Sequence, residues 1–464
     1  MVLGLVVEIR GVMRRWPFAL VLLLLFASCQ PQNVREEKAM RRQLAHEMHH
    51  HSYESAIPLA RHLIRIAPQD QKLWQNLVQA QIGLHDFDGA RVSLGDWRAA
   101  VNPISGHADE LEGDILQEEG NTGAALLAWQ RSLAIQPKNQ RLFSKIAALH
   151  QREQRWSDAV TFWTRALQVK DNATARIHRA VCYRRLRQWH DAFEDFRHAQ
   201  KLGADDPAVQ RWRHVFETVS KYLEEIQEFD ARVAALPDDP ALLADRSLLL
   251  LRAGDAELAL DDAEQAGKLA GWAIRPRLFK ALALIALSRS RDVETLSIRL
   301  PLRLDCLTPE FLETISRIDS AIAVERDNAE HYAARAWQLN EIGQPALALV
   351  DAQMAVKLEE DSASGRVEES YALTKLGRSE EAFAQIKKAT ELNAELAPAW
   401  QYRGELEMAR GDNLAAVDSF SRALALGKSS PALIKREECY RRLGLAARAD
   451  EDHRSLLELN SRGP

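Results

Sequence analysis

Between Gln140 and Lys170 the apolar positions recur every three or four residues. Leu142, Phe143, Ile146, Ala147 and Leu149 form one stripe; Trp156, Ala159, Val160, Trp163, Ala166 and Leu167 form a second. This spacing is helical rather than alternating, so it predicts two short amphipathic helices with a polar turn near Gln154. Neither helix can bury its stripe alone, and a neighbouring copy of the same hairpin must cover it. The chain supplies those copies. Ala56, Ala90, Ala125, Ala159 and Ala192 stand 34, 35, 34 and 33 residues apart, Ala259 follows two periods later, and Ala348, Ala382, Ala416 and Ala449 resume at 34, 34 and 33. Gly120, Gly254, Gly343, Gly377, Gly411 and Gly444 each precede one of these alanines by five residues, where a left-handed residue ends a helix and turns the chain. Pro68, Pro137 and Pro237 fall where second helices end.

This period, with its small and aromatic positions in phase, resembles the tetratricopeptide repeat. Trp74, Leu77, Ala90 and Leu94 fill the pattern in one copy; Gly113, Leu116, Ala125, Trp129 and Pro137 fill it in the next. Phe143, Ile146, Ala147, Ala159, Trp163 and Ala166 come after them, then Ala180, Tyr183, Ala192, Phe196 and Ala199, and later Trp400, Gly404, Ala416, Phe420 and Ala423. The resemblance implies an all-α solenoid, a superhelix of about twelve helix–turn–helix units. Two places depart. Residues 206–239 keep the length and Pro237 but put Glu225 where alanine is expected, which marks a degenerate unit. From Ala259 to Ala348 there are 89 residues, two periods plus 21, with Pro301, Cys306 and Pro309 breaking the helical pattern. A loop inserted inside one unit is expected there. The expected division is an N-terminal array over 37–289, an irregular insertion over 290–309 and a C-terminal array over 310–464.

The N-terminus carries a different signal. Arg14-Arg15 precedes the apolar run Trp16–Ser28, which is too short to span a membrane comfortably and has the layout of a secretory signal. Leu25-Phe26-Ala27-Ser28-Cys29 resembles the lipobox of bacterial lipoproteins, with Phe26 where that family usually has leucine. The resemblance implies that Cys29 is lipidated and is the first mature residue, with residues 30–36 as a polar tether. Gln30 stands after it rather than the aspartate that retains many such anchors in the inner membrane, which points to the outer membrane facing the periplasm. Met13 is the expected start, with residues 1–12 preceding it.

Composition narrows the chemistry. A net charge of −5 leaves no global nucleic-acid footprint. The four cysteines are far apart and form no CxxC pair, so Cys182, Cys306 and Cys439 are expected as buried packing residues. There is no P-loop, no G-x-S-x-G elbow and no G-x-G-x-x-G after a strand, so neither a cofactor nor a small-molecule substrate is expected. The stretch His46-Glu47-Met48-His49-His50 matches H-E-x-x-H, which on a helix places His46 and His50 together with Glu47 as a general base. It falls at the end of the first helix of the first unit, only seventeen residues after Cys29, with Tyr53 where the metzincin extension has glycine. A zinc-dependent peptidase, or a regulator of one, is therefore the alternative and not the leading reading; neither catalytic nor metal-ligating residues are assigned.

Charge is blocked along the chain. Arg141 to Arg187 holds eleven basic and three acidic residues, whereas Ile104 to Gln130 holds six acids and no Lys or Arg. In the family the first helices line the groove that takes peptides. Arg141, Lys145 and Arg152 on one first helix and Arg176, Arg184 and Arg185 on the next are thus the candidate peptide-binding residues, suited to an acidic segment. The family's asparagine ladder is absent, since Asn76 has no counterpart in neighbouring units. The reading is a non-enzymatic protein-binding scaffold of the bacterial envelope.

Overall fold

The computed structural model describes residues 32–101, 105–289, 304–427 and 429–461, with short pieces between 292 and 302. The chain is all-α, with no strand among the described residues. Cys29 and the apolar run before it lie outside the described residues, and among the described ones no helix is long and apolar enough to cross a membrane.

The chain forms two compact units, Met1–Trp212 and Arg213–Pro464. Five hairpins fall within the first, beginning with Gln32–His49 and Tyr53–Ile66 and ending with Ala173–Arg185 and Trp189–Leu202. Six fall within the second, the last being Ser430–Arg442 with Ala446–Ser461, and one more begins with the helix Pro207–Val219, which contains the boundary. The irregular stretch at 290–309 lies inside the second unit.

The alanine series explains the hairpins. Ala56, Ala90, Ala125, Ala159, Ala192, Ala259, Ala348, Ala382 and Ala416 are all fully buried. A methyl group is small enough to let a second helix approach its partner's backbone, and the larger residue four positions later fills the space beside it. Trp129, Trp163, Phe196 and Phe420 occupy that later place and are buried. Trp163 then stacks on His178 of the next hairpin, with ring centroids 4.9 Å apart and planes 8° from parallel, so one ring serves two repeats.

Turns and caps keep the same period. The residue five before each alanine is left-handed: Gly120, Gly254, Gly343, Gly377, Gly411 and Gly444 have φ between 70° and 86°, and His51, His85, Gln154 and Arg187 adopt φ of 56–58° at the equivalent places. Asn and Asp side chains cap the helices that start beyond the turns, as when Asn121 accepts from the Ala124 amide and Asn139 from the Leu142 amide.

The two irregular places resolve differently. In the degenerate unit Ile226, not Glu225, takes the alanine place: Ile226 is fully buried and Glu225 is exposed. Ile226 stands 34 residues after Ala192, an ordinary period, so the expected register is one residue early; the turn before it is the 3-10 turn Ser220–Tyr222, which has no left-handed residue. In the other, the first helix Arg275–Ala286 ends as usual at Ser288 with φ 59°, and fully buried Val293 stands 34 residues after Ala259. The second-helix role then passes to Pro309–Val324, whose fully buried Ile315 lies 33 before Ala348. The Asp319 carboxylate accepts from the amides of Ile274 and Arg275 at 3.2 and 3.5 Å, which seats this helix against Arg275–Ala286. The extra residues are thus an insertion between the two helices of one hairpin.

A second series escapes the sequence reading. Arg179, Arg246, Arg335 and Arg436 each stand thirteen residues before a buried alanine, and each makes a bidentate pair with the aspartate three residues after that alanine: Asp195, Asp262, Asp351 and Asp452. The remaining nitrogen of each guanidinium reaches the second helix of the preceding hairpin, to Thr164 at 2.9 Å, Asp230 at 2.9 Å, Asp319 at 2.9 Å and Ser421 at 2.9 Å respectively. All four aspartates are buried.

Ala159→Glu places a carboxylate where two helices touch, and the expected loss is on the order of 3 kcal/mol or more. Gln154→Glu at the exposed turn of the same hairpin should cost under about 0.5 kcal/mol. Denaturant midpoints of the two variants, measured side by side, check the register; equal midpoints contradict it.

Candidate functional site

The six basic residues named from the sequence occupy different environments. Lys145 is bound by the preceding hairpin, donating to Glu110 at 2.9 Å and to the two Asp114 oxygens at 2.7 and 2.8 Å. Arg176 pairs with Asp171 at 2.7 Å and Asp195 at 2.9 Å. Arg184 is buried, its guanidinium 4.7 Å above the Trp212 ring, and Arg185 lies 4.9 Å above the Trp156 ring. Arg141 and Arg152 are exposed at the surface. The structure therefore does not gather the six into an open positive strip. Two are compensated by acids, one is buried, and the acidic block at 104–130 supplies the partners of Lys145. Other acids of that block take Arg98 and Arg131, through Asp109 and Glu112. Blocks separated along the chain are adjacent in space, because one period of the repeat carries a first helix onto its neighbour.

The H-E-x-x-H stretch ends the helix Gln32–His49. The His46 and His50 rings lie 4.4 Å apart at the surface; the Nδ1 of His51 is 2.6 Å from the Tyr53 hydroxyl. Among the described residues the one group of three ligand side chains within mutual reach is His190, Asp191 and Glu194, which is exposed and elsewhere. Cys182 and Cys439 are free and buried, and burial pushes the Cys182 thiol up to about 12, which leaves it inert as a nucleophile.

The second unit holds a groove that the sequence reading missed. Three successive first helices, Ala329–Glu341, Ala363–Lys375 and Ala397–Ala409, line a cavity of about 430 Å³. Each contributes one ring and one carboxyl group: Trp337 with Glu341, Tyr371 with Glu368, and Tyr402 with Glu405. The Tyr371 and Tyr402 rings sit 5.3 Å apart. Trp337 is 50% exposed, whereas the repeat tryptophans Trp74, Trp97, Trp129, Trp163, Trp189 and Trp400 are buried. Asn340 is buried and donates its amide to Glu368 Oε2 at 2.8 Å.

The electrostatics of this groove are dominated by burial. Burial lifts the Glu368 carboxyl from the usual 4.5 to about 7, against the hydrogen bond from Asn340 and with help from the Glu341 charge. Glu405 is raised by the same cause, opposed by the hydrogen bond from Gln401 and by the charges of Lys435 and Lys375. The signal for the groove was present in the sequence: Trp337, Tyr371 and Glu405 each stand eleven residues before a buried alanine, Ala348, Ala382 and Ala416. First helices also carry large rings that pack, such as Trp74 and Trp400, so the open ones do not stand out along the chain.

The fold and this groove define the class: an all-α array of tetratricopeptide-like hairpins with an aromatic, acidic pocket on its first-helix side. No family model matches the chain, and no curated protein matches it. Among solved structures it is similar to MamA, at 18% identity over 31% of this chain and 85% of that one, with a TM-score of 0.28. It is similar to yeast Tom70 at 13% identity, over 91% of this chain and 97% of that one, with a TM-score of 0.26. It is also similar to YrrB, a TPR protein with an unusual peptide-binding site, at 18% identity over 45% and 97%, with a TM-score of 0.26. Likeness at this level carries no function across, and the repeat architecture rests on the hairpins themselves.

Because the native Glu368 carboxyl is raised above its unfolded value, it contributes stability that is present below about pH 4.5 and lost as pH rises through 7. Glu368→Gln should remove that dependence. Between pH 4.5 and 8 the wild type should lose more unfolding free energy than the variant, by up to about 3 kcal/mol, as read from denaturant curves. Parallel profiles contradict the assignment.

Proposed function

We propose that this protein is a non-enzymatic scaffold that binds a segment of another protein in the groove of its second unit. The observation that carries the reading is the half-exposed Trp337 beside Tyr371 and Tyr402 in a cavity shared by three consecutive first helices. A soluble repeat packs its large rings; one left open, in a concavity of ligand size with polar groups around it, is the mark of a binding surface. The repeat supports this role, because stacked hairpins repeat one side-chain position along a line, which suits an extended or helical chain.

The cellular setting is proposed from the N-terminal sequence. Cys29 would carry lipid and hold the array at a bacterial envelope membrane, in the reading of an outer-membrane anchor facing the periplasm. The partner would belong to an envelope complex.

Two measurements test the reading. A photo-crosslinking residue at position 371, in the groove, should give a discrete adduct with another protein in cells, and the same residue at the exposed second-helix position Val350 should give none; the reverse pattern contradicts the groove. Cys29→Ser should release the protein from membranes or leave a longer unprocessed precursor. Unchanged partitioning and mass after that substitution contradict the anchor.

A further inference from the structure

We infer that the groove of the second unit recognises a basic side chain, the lysine or arginine of a peptide segment, held among Trp337, Tyr371 and Tyr402 by Glu341, Glu368 and Glu405. This deepens the scaffold reading and rests on it. It also reverses the charge of the ligand expected from the basic block of the first unit.

Three observations converge. Elsewhere in the protein several buried carboxylates are answered by guanidinium groups, as Asp195, Asp262, Asp351 and Asp452 are, and as Glu407 is by Arg403 at 2.8 Å. The carboxyl groups of the groove, with Glu341 exposed and Glu368 and Glu405 half-buried, have no such answer: among the described residues none of them forms an ion pair, and no Lys or Arg lines the cavity. Like charges gathered in a partly desolvated groove repel, so a cation entering it is favoured by all three.

The second observation is Asn340. It is only 6% exposed and lines the cavity; its amide nitrogen is engaged by Glu368, while its Oδ1 has no hydrogen-bond partner. A buried acceptor left open costs free energy, and an ammonium or guanidinium N–H satisfies it. The third is the rings. Cations above ring faces recur in this protein, with Arg335 5.6 Å above Tyr332, Arg403 5.2 Å above Trp400 and Lys375 5.1 Å above Tyr371. The exposed Trp337 has no such cation among the described residues, which leaves a strong cation–π face open at the mouth of an acidic cavity. An acidic peptide would meet three carboxyl groups, and a purely apolar one would leave Oδ1 of Asn340 and those carboxyl groups dry.

The test uses the full-length protein and short fluorescein-labelled peptide pools, random except for one central position fixed as Lys, Arg, Ala or Glu. The Lys or Arg pool should bind at least about tenfold more tightly than the Ala and Glu pools. Trp337→Ala and the isosteric double variant Glu368→Gln/Glu405→Gln should each reduce that ratio to within about twofold, with unchanged helical circular dichroism and, for Trp337→Ala, unchanged melting. Trp337 is exposed, so its variant stands even if the double variant folds poorly. Glu368 is flanked by Asn340 and Glu341 on the preceding helix, by Tyr371 and Lys375 along its own, and by Tyr402 and Glu405 on the next. A bound cation favours its ionised form, so the Lys pool should tighten between pH 6 and pH 8, and Glu368→Gln should flatten that rise. Equal binding of Lys and Ala pools, preference for Glu, or a basic preference that survives both variants overturns the cation while leaving the scaffold in place. Displacement of the Lys pool by spermidine at concentrations as low as the peptide's own assigns the groove to a free amine and overturns the peptide. Binding of no pool, together with no adduct at position 371, overturns both readings.

Discussion

The close approach of two helices at a single methyl group is the constraint on which every other feature of the array depends. A helix of thirteen or fourteen residues is marginal in water, and one with a single apolar face cannot stand alone. Ala159 and its counterparts let each second helix lie against its own first helix, and the neighbouring large ring closes the gap to the next hairpin. Each hairpin is thus completed by the one beside it. That dependence holds the alanines 33 to 35 residues apart wherever regular hairpins follow one another. It also confines irregularity to turns, as where the degenerate unit has the 3-10 turn Ser220–Tyr222 in place of a left-handed residue.

The arginine–aspartate pairs act on a different quantity. A buried ion pair offsets its own desolvation only approximately, so four of them add little net stability. Misplacing one is costly, since a slipped helix leaves a carboxylate buried without its counter-charge. Arg246, for example, satisfies Asp262 in its own hairpin and Asp230 in the preceding one with a single guanidinium. Alanine packing admits close alternatives; the bidentate geometry does not. The pairs therefore select one register among several that apolar burial would accept.

The fold was legible because it repeats. A single amphipathic helix is weak information, but a phase held from Ala56 to Ala259 and again from Ala348 to Ala449 is strong, and the turn glycines agree with it. The site was less legible for the same reason. Lys145 and Arg176 read as a positive strip because a sequence shows charges along the chain and not across it; their partners Glu110, Asp114 and Asp195 lie far from them in sequence. Trp337 was hidden because a tryptophan in a repeat usually packs, and only the accessible surface separates one that does from one that does not. Arg335 and Asp351 were hidden because a pair sixteen apart has no local signature until it is laid on the period.

The interrupted hairpin of the second unit has a further implication. Its two helices are not joined by a tight turn, as every regular hairpin's are, but by the extra residues that precede Pro309. What holds them is non-covalent: Asp319 receives the amides at the start of Arg275–Ala286, and Arg335 of the next hairpin binds both Asp319 and the Trp272 carbonyl, each within 2.9 Å. The intervening residues are themselves core, since Val293, Ile298, Leu302 and Leu307 are buried, so a backbone cut or a foreign sequence there would open apolar surface: the interruption is a packed spacer and not a slack joint.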